Sequence, residues 1–149
     1  MGSLFNLVIY TEDSVKGTAL AASAYALVDS LNRIFSDYDP RSELNYLNST
    51  AGSDHFILVS VPLYHLIKQS VEASDKSRGA FDITMGPVNW LWRQSRKAKQ
   101  VPPDSALKAA TPKTGFKKIK LDTLNRRIKL LEKGMHFGWA GIQRCLQPE

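Results

Sequence analysis

The stretch RGAFDITMGPVNWLW, residues 78–92, carries one carboxylate, Asp82, among apolar residues, glycines and a proline. Two chemical roles suit an acid in that setting. As a turn residue it would cap nearby backbone N–H groups; as part of a ligand wall it would accept hydrogen bonds from a bound molecule. Gly86 would let a ligand approach the backbone closely, and Pro87 would open the next helix. The second candidate is Tyr38, in SDYDP. Its ring could stack on a planar heterocycle or close a loop against the core. Trp90 and Trp92 read as core residues. No Ser-His or Cys-His arrangement presents a nucleophile with its base. The single cysteine, Cys145, makes neither an internal disulfide nor a thiolate cluster, and His55, His65 and His136 lack metal-ligand spacing. A His/Cys metal site is therefore not expected.

The elements that would position these residues follow from periodicity and punctuation. LFNLVIY is predicted to be the first strand. TEDS supplies capping side chains for a helix from Val15 to Phe35, whose apolar face holds Ala24, Leu27, Leu31 and Ile34. Pro40 stops it. Ser42 caps a short helix, ELNYLN, and TAGSD is a turn cluster. HFILVS predicts a short strand. VPLYHLIKQSVEASDKSRG predicts a second long helix: Pro62 suits the first turn, Leu63, Leu66, Ile67 and Val71 form the face, and Gly79 is the stop. AFDITMG reads as strand-like, followed by a helical turn through VNWLW and a charged connection, RQSRKAKQ. PPDSALKAA predicts a short helix opened by Pro103. GFKKIKLD, RRIKLLE and MHFGWAG alternate like strands, the first two joined by TLN as an antiparallel hairpin. Interleaved strands and helices place the chain in the α+β class, with a mixed sheet and two long helices.

Length and composition agree. The 149 residues suit one domain, and 43% hydrophobic with 23% charged residues is a globular balance. No apolar run approaches the ~20 residues that span a bilayer. MGSLFNLVIY lacks the basic n-region of a signal peptide. The net charge of +6 is uneven: residues 1–90 hold 6 Lys/Arg against 10 Asp/Glu, and residues 91–149 hold 14 against 4. A basic half fits either a solvated lysine-rich face or a phosphate-bearing partner.

Several of these segments recur together in one known family. MGSLFNLVIY, FSDYDPRSELNYLN, GAFDITMGPVNWLW, GFKKIKLD and GMHFGWAGI stand in the order found in the ApbE-like flavin transferases, and the chain resembles that family through residues 1–141. The resemblance implies an incomplete ApbE-like (T-fold-like) domain, with residues 142–149 a divergent tail. It implies an FAD:protein FMN transferase, which moves FMN from FAD to a threonine hydroxyl of a target flavoprotein, releases AMP and requires Mg²⁺. That is phosphoryl transfer, which needs positioning, charge neutralisation and an activated hydroxyl rather than a strong protein nucleophile. Carried over by position, Met1, Tyr38, Ala80, Phe81 and Asp82 would contact FAD, and the backbone carbonyl of Gly141 would ligate magnesium. Family members are commonly periplasmic or membrane-anchored.

The sequence departs from the family pattern near its end, in FGWAGIQRCLQPE. Gly138 stands where the family has an FAD-binding aspartate, Ala140 and Gly141 replace a glycine pair, and Arg144 stands near a Lys/Glu position. Complete members are roughly twice as long, and their remaining half supplies an aspartate and a threonine to the magnesium site. The chain is thus expected to be a truncated form with little or no activity alone, through a frameshift or premature stop near Ile142 as one route. Two other functions compete: a flavin-binding module without turnover, and a basic nucleic-acid-binding domain. No helix-turn-helix, RNP-type or zinc-finger pattern supports the last, so no nucleic-acid partner is expected.

Overall fold

The computed structural model describes residues 6–138. Helix α1 spans Ser14–Phe35, where the Asp13 carboxylate accepts from the Val15 and Lys16 amides at 2.9 and 3.2 Å. Those bonds satisfy N–H groups that the first turn leaves without partners. Ser42 and Ser60 do the same for α2 (Glu43–Ser49) and α3 (Val61–Lys76). Helix α4 spans Gly86–Ala98 and α5 Asp104–Ala110. Strands β1 (Ile57–Leu58), β2 (Ile119–Asp122) and β3 (Arg127–Leu130) form an antiparallel sheet in the order β1-β3-β2. The predicted hairpin closes with Ile119 opposite Leu130 and Leu121 opposite Ile128.

The core follows from two periodicities. On α3, Leu63, Leu66 and Ile67 are buried at helical spacing, and on β3, Ile128 and Leu130 are buried at the alternation of a strand. Leu44 and Leu47 of α2, with Ile83, Met135 and Phe137, fill the space between them. The α+β architecture and its two long helices match the sequence reading. Of the face predicted on α1, Leu31 and Ile34 pack against the core, whereas Leu27 is 60% exposed.

Four local expectations are corrected. Residues 6–10 form no strand: they pair with none of the three described strands, so no ladder satisfies their backbone, and Tyr10 is 94% exposed. AFDITMG is a turn rather than a strand, since the Asp82 side chain takes the hydrogen bonds a ladder would have supplied. MHFGWAG, as far as it is described, contributes only a single parallel bridge, Met85 to His136. RQSRKAKQ is helical through Ala98: it is built from good helix formers, and no breaker intervenes before Pro102.

Tyr64 is buried, and its hydroxyl meets no hydrogen-bond partner among the described residues. Burial pushes its pKa up, with the nearby Asp122 carboxylate adding to the effect. Deleting an unpaired buried hydroxyl removes a desolvation cost and loses no bond. Tyr64→Phe is therefore expected to raise stability by about 1 kcal/mol, read as a higher urea midpoint. A lower midpoint would show that the hydroxyl is satisfied by water.

Candidate functional site

The loop between α1 and α2 is built by its own side chains. The Ser36 hydroxyl accepts from the Tyr38 and Asp39 amides at 3.2 and 3.1 Å. Ser42 donates to the Ser36 carbonyl at 2.5 Å, and Asn45 donates to the Ser36 and Asp39 carbonyls at 3.2 and 2.9 Å. Such a closed network leaves the loop little freedom, so Asp37 and Tyr38 are presented in a set direction.

What they meet is α4. Arg93 donates to the Asp37 carboxylate at 2.7 Å, and its guanidinium lies over the Tyr38 ring, 5.0 Å from the centroid. The charge is thus held by an anion and by the ring's electron-rich face at once. Beside this stack opens a cleft of about 640 Å³, whose walls include Tyr38, Trp90, Arg93, Arg96 and Lys97. Trp90 is 53% exposed and Trp92 also reaches solvent, which corrects their reading as core residues: only Gly86 and Pro87 of α4 are buried. The cleft shares Asp37, Trp90 and Arg93 with a smaller recess of about 60 Å³ at the start of α4, bounded by Asn89, His136 and Gly138.

The recess exists because two glycines meet there. A Cβ on Gly138 would lie 2.9 Å from the Gly86 Cα and 3.2 Å from the Asn89 amide nitrogen. A Cβ on Gly86 would overlap the ring and carbonyl of His136. His136 is half-buried, and that burial is the main cause holding its pKa below the ordinary 6.5, ahead of the carbonyl of Gly134, which acts the other way. The folded state thus binds the proton less readily than the unfolded chain does. Stability is fully present above pH 6.5 and is lost as pH falls below it toward the folded pKa. His136→Gln is expected to flatten that acid-side decline in a urea series from pH 7.5 to about 5. An unchanged slope would assign the decline to other groups.

The second predicted cluster is elsewhere. One Asp82 oxygen accepts from the Thr84 amide and hydroxyl at 2.8 and 2.6 Å, and the other accepts from the Phe116 amide at 3.0 Å. The Thr84 hydroxyl in turn accepts from the Gly115 amide at 2.7 Å. Asp82 thereby ties the turn before α4 to the loop before β2. Phe81 packs partly buried against the core and Ala80 is exposed; neither they nor Asp82 line the Tyr38 cleft. Met1 and Gly141 lie outside the described residues. Sequence reasoning missed Asp37, Arg93, Arg96 and Lys97. A usable signal was present: Trp90, Arg93 and Lys97 recur at three- and four-residue steps, which puts an aromatic ring and two cations on one helical face.

A comparison with known families matches the ApbE family over residues 1–144. The chain belongs to the ApbE family. A curated relative from Klebsiella pneumoniae, named FAD:protein FMN transferase, is 27% identical over 144 residues, covering 97% of this chain and 44% of its own length. Among solved structures, a mutant of the flavin transferase ApbE from Vibrio cholerae aligns with TM-score 0.75 at 23% identity, over 89% of this chain and 45% of that one. The ApbE protein of Thermotoga maritima aligns with TM-score 0.68 at 27% identity, over 83% and 41%. The chain thus spans less than half the length of these relatives. Tyr38 lines the open cleft and Gly138 the adjoining recess. Among the described residues no group of three or more His, Cys, Asp or Glu side chains gathers to hold a metal ion. No helix among the described residues is long and apolar enough to cross a membrane.

Proposed function

We propose that this chain contributes one wall of the FAD site of an FAD:protein FMN transferase. The observation that carries the reading is the cleft lined by Tyr38, whose ring carries the Arg93 guanidinium, and by Trp90, in a chain of the ApbE family. A flavin or an adenine is a planar aromatic group, and an offset stack on an oriented ring holds it at little entropic cost. The proposed reaction is attack of a threonine hydroxyl of a target flavoprotein on the FMN-side phosphorus. The bond to the AMP phosphate breaks, AMP leaves with the electron pair, and the hydroxyl proton passes to solvent or a base. The magnesium requirement implied by the resemblance is part of the proposal, and no step assigned to the described residues runs through it. Ala80, Phe81 and Asp82 enter as a second wall: one carboxylate accepts more hydrogen bonds than the three that Asp82 makes within the chain.

The test is a titration of the purified chain with FAD, read by quenching of flavin fluorescence, followed by an assay for AMP with Mg²⁺ and a threonine-bearing target protein. Saturable quenching, weakened by Tyr38→Ala, is the expected result. An absence of quenching would overturn the reading. Binding without AMP release would favour a flavin-binding module in place of a transferase.

A further inference from the structure

Arg93 is already engaged by Asp37 and Tyr38, but two further cations on the cleft wall are not. Arg96 and Lys97 are exposed, and neither forms an ion pair among the described residues. They line the same opening as the two aromatic rings. From this we infer that Arg96 and Lys97 receive the pyrophosphate of the bound dinucleotide and make the cleft select FAD over unphosphorylated flavins. The inference rests on the reading of the cleft as an FAD site and adds which residues read the phosphates.

The spacing along α4 suits the division. Lys97 stands seven residues beyond Trp90, about 10 Å along a helix axis. That leaves room for a sugar or a ribityl chain between a stacked ring and a phosphate. Arg93 is a poor candidate for the phosphates because its guanidinium would have to leave both a carboxylate and a ring. Arg96 and Lys97 would surrender only water. A guanidinium and an ammonium on two adjacent phosphates give charge-assisted hydrogen bonds, which are stronger than neutral ones. The competing account is local: both cations sit in the last turn of α4, where positive charge favours the negative end of the helix dipole. The two accounts differ in what they predict for ligands.

The experiment compares FAD with riboflavin, by fluorescence quenching, on the wild-type chain and on the double variant Arg96→Gln, Lys97→Gln. The wild type is expected to bind FAD more tightly than riboflavin, with a preference that shrinks as potassium chloride is raised. The double variant should lose about ten- to hundredfold of FAD affinity, from the loss of two charge-assisted contacts, and keep its riboflavin affinity. Should the variant not fold, as judged by circular dichroism, the salt dependence of the wild-type preference decides. A ratio of FAD to riboflavin affinity that is insensitive to both substitutions, or to salt, overturns the inference and leaves the FAD site standing. Failure of the wild type to bind either flavin overturns both.

Discussion

Replacing Asp82 with alanine is expected to cost about 3 kcal/mol of folding free energy. The carboxylate accepts from the Thr84 amide, the Thr84 hydroxyl and the Phe116 amide, and Thr84 is wholly buried. Alanine would strand three donors at once, each costing about 1–3 kcal/mol if nothing replaces its acceptor. The position is only half-buried, so a water can enter and recover part of the loss; the figure therefore lies toward the low end. Against a typical stability of about 5–15 kcal/mol, such a loss is large. Asp82→Asn keeps one oxygen facing Thr84 and turns a donor toward the Phe116 amide, so about 1–2 kcal/mol should go. Urea midpoints for the two variants measure both values. If Asp82→Ala unfolds at the wild-type midpoint, the carboxylate is not the tie between the two loops. The same variants separate the two roles of the acid: loss of flavin binding by Asp82→Asn in protein that remains folded would make it a ligand wall as well.

The other large effect is expected at Gly86. It opens α4 directly beneath the chain that runs through His136 to Gly138, joined to it by the Met85–His136 bridge and by the Gly138 amide, which donates to the Ile83 carbonyl at 3.3 Å. The atoms that a Cβ at Gly86 would strike are a ring carbon and a backbone carbonyl of His136. Neither is the free end of a flexible side chain, so relief needs a backbone shift. Gly86→Ala is expected to cost about 3 kcal/mol, the upper part of the range for overpacking. For a chain of this size that is roughly 10 °C in Tm. The recess shared with the Tyr38 cleft should distort as well, so flavin binding should weaken in the fraction that stays folded. A Tm within about 2 °C of the wild type would mean that the crossing segment moves freely, and the close packing of the two glycines would not be a structural requirement.

Both residues stood out in the sequence, for reasons that proved only half sufficient. Gly86 was expected to give a ligand close access to backbone, yet what approaches it is the chain's own His136. Asp82 was read locally as a cap, and two of its three bonds fit a local turn through Thr84. The third, to Phe116, crosses 34 residues, and no pattern within the segment announces it. The Tyr38 loop was more legible, because SDYDPRSELN carries the serines and asparagine that close it on themselves. Its partner was not: Arg93 lies 56 residues from Asp37 and was read as part of a charged connection.

The sequence by itself determined the caps of α1 and α2, the approximate spans of α1, α2 and α3, the β2–β3 hairpin and the α+β class. These rest on interactions within a few residues, such as a cap with its first turn or the alternation of a strand, and those are written in order along the chain. It also carried the motifs by which the family could be recognised. Only the tertiary structure decided that α4 continues past Trp92, that Trp90 lines an open cleft and Trp92 reaches solvent instead of the core, and that Arg93 is locked on Asp37 while Arg96 and Lys97 remain available. Each of those outcomes depends on which distant segment packs against α4, and side-chain type and local spacing do not encode that choice.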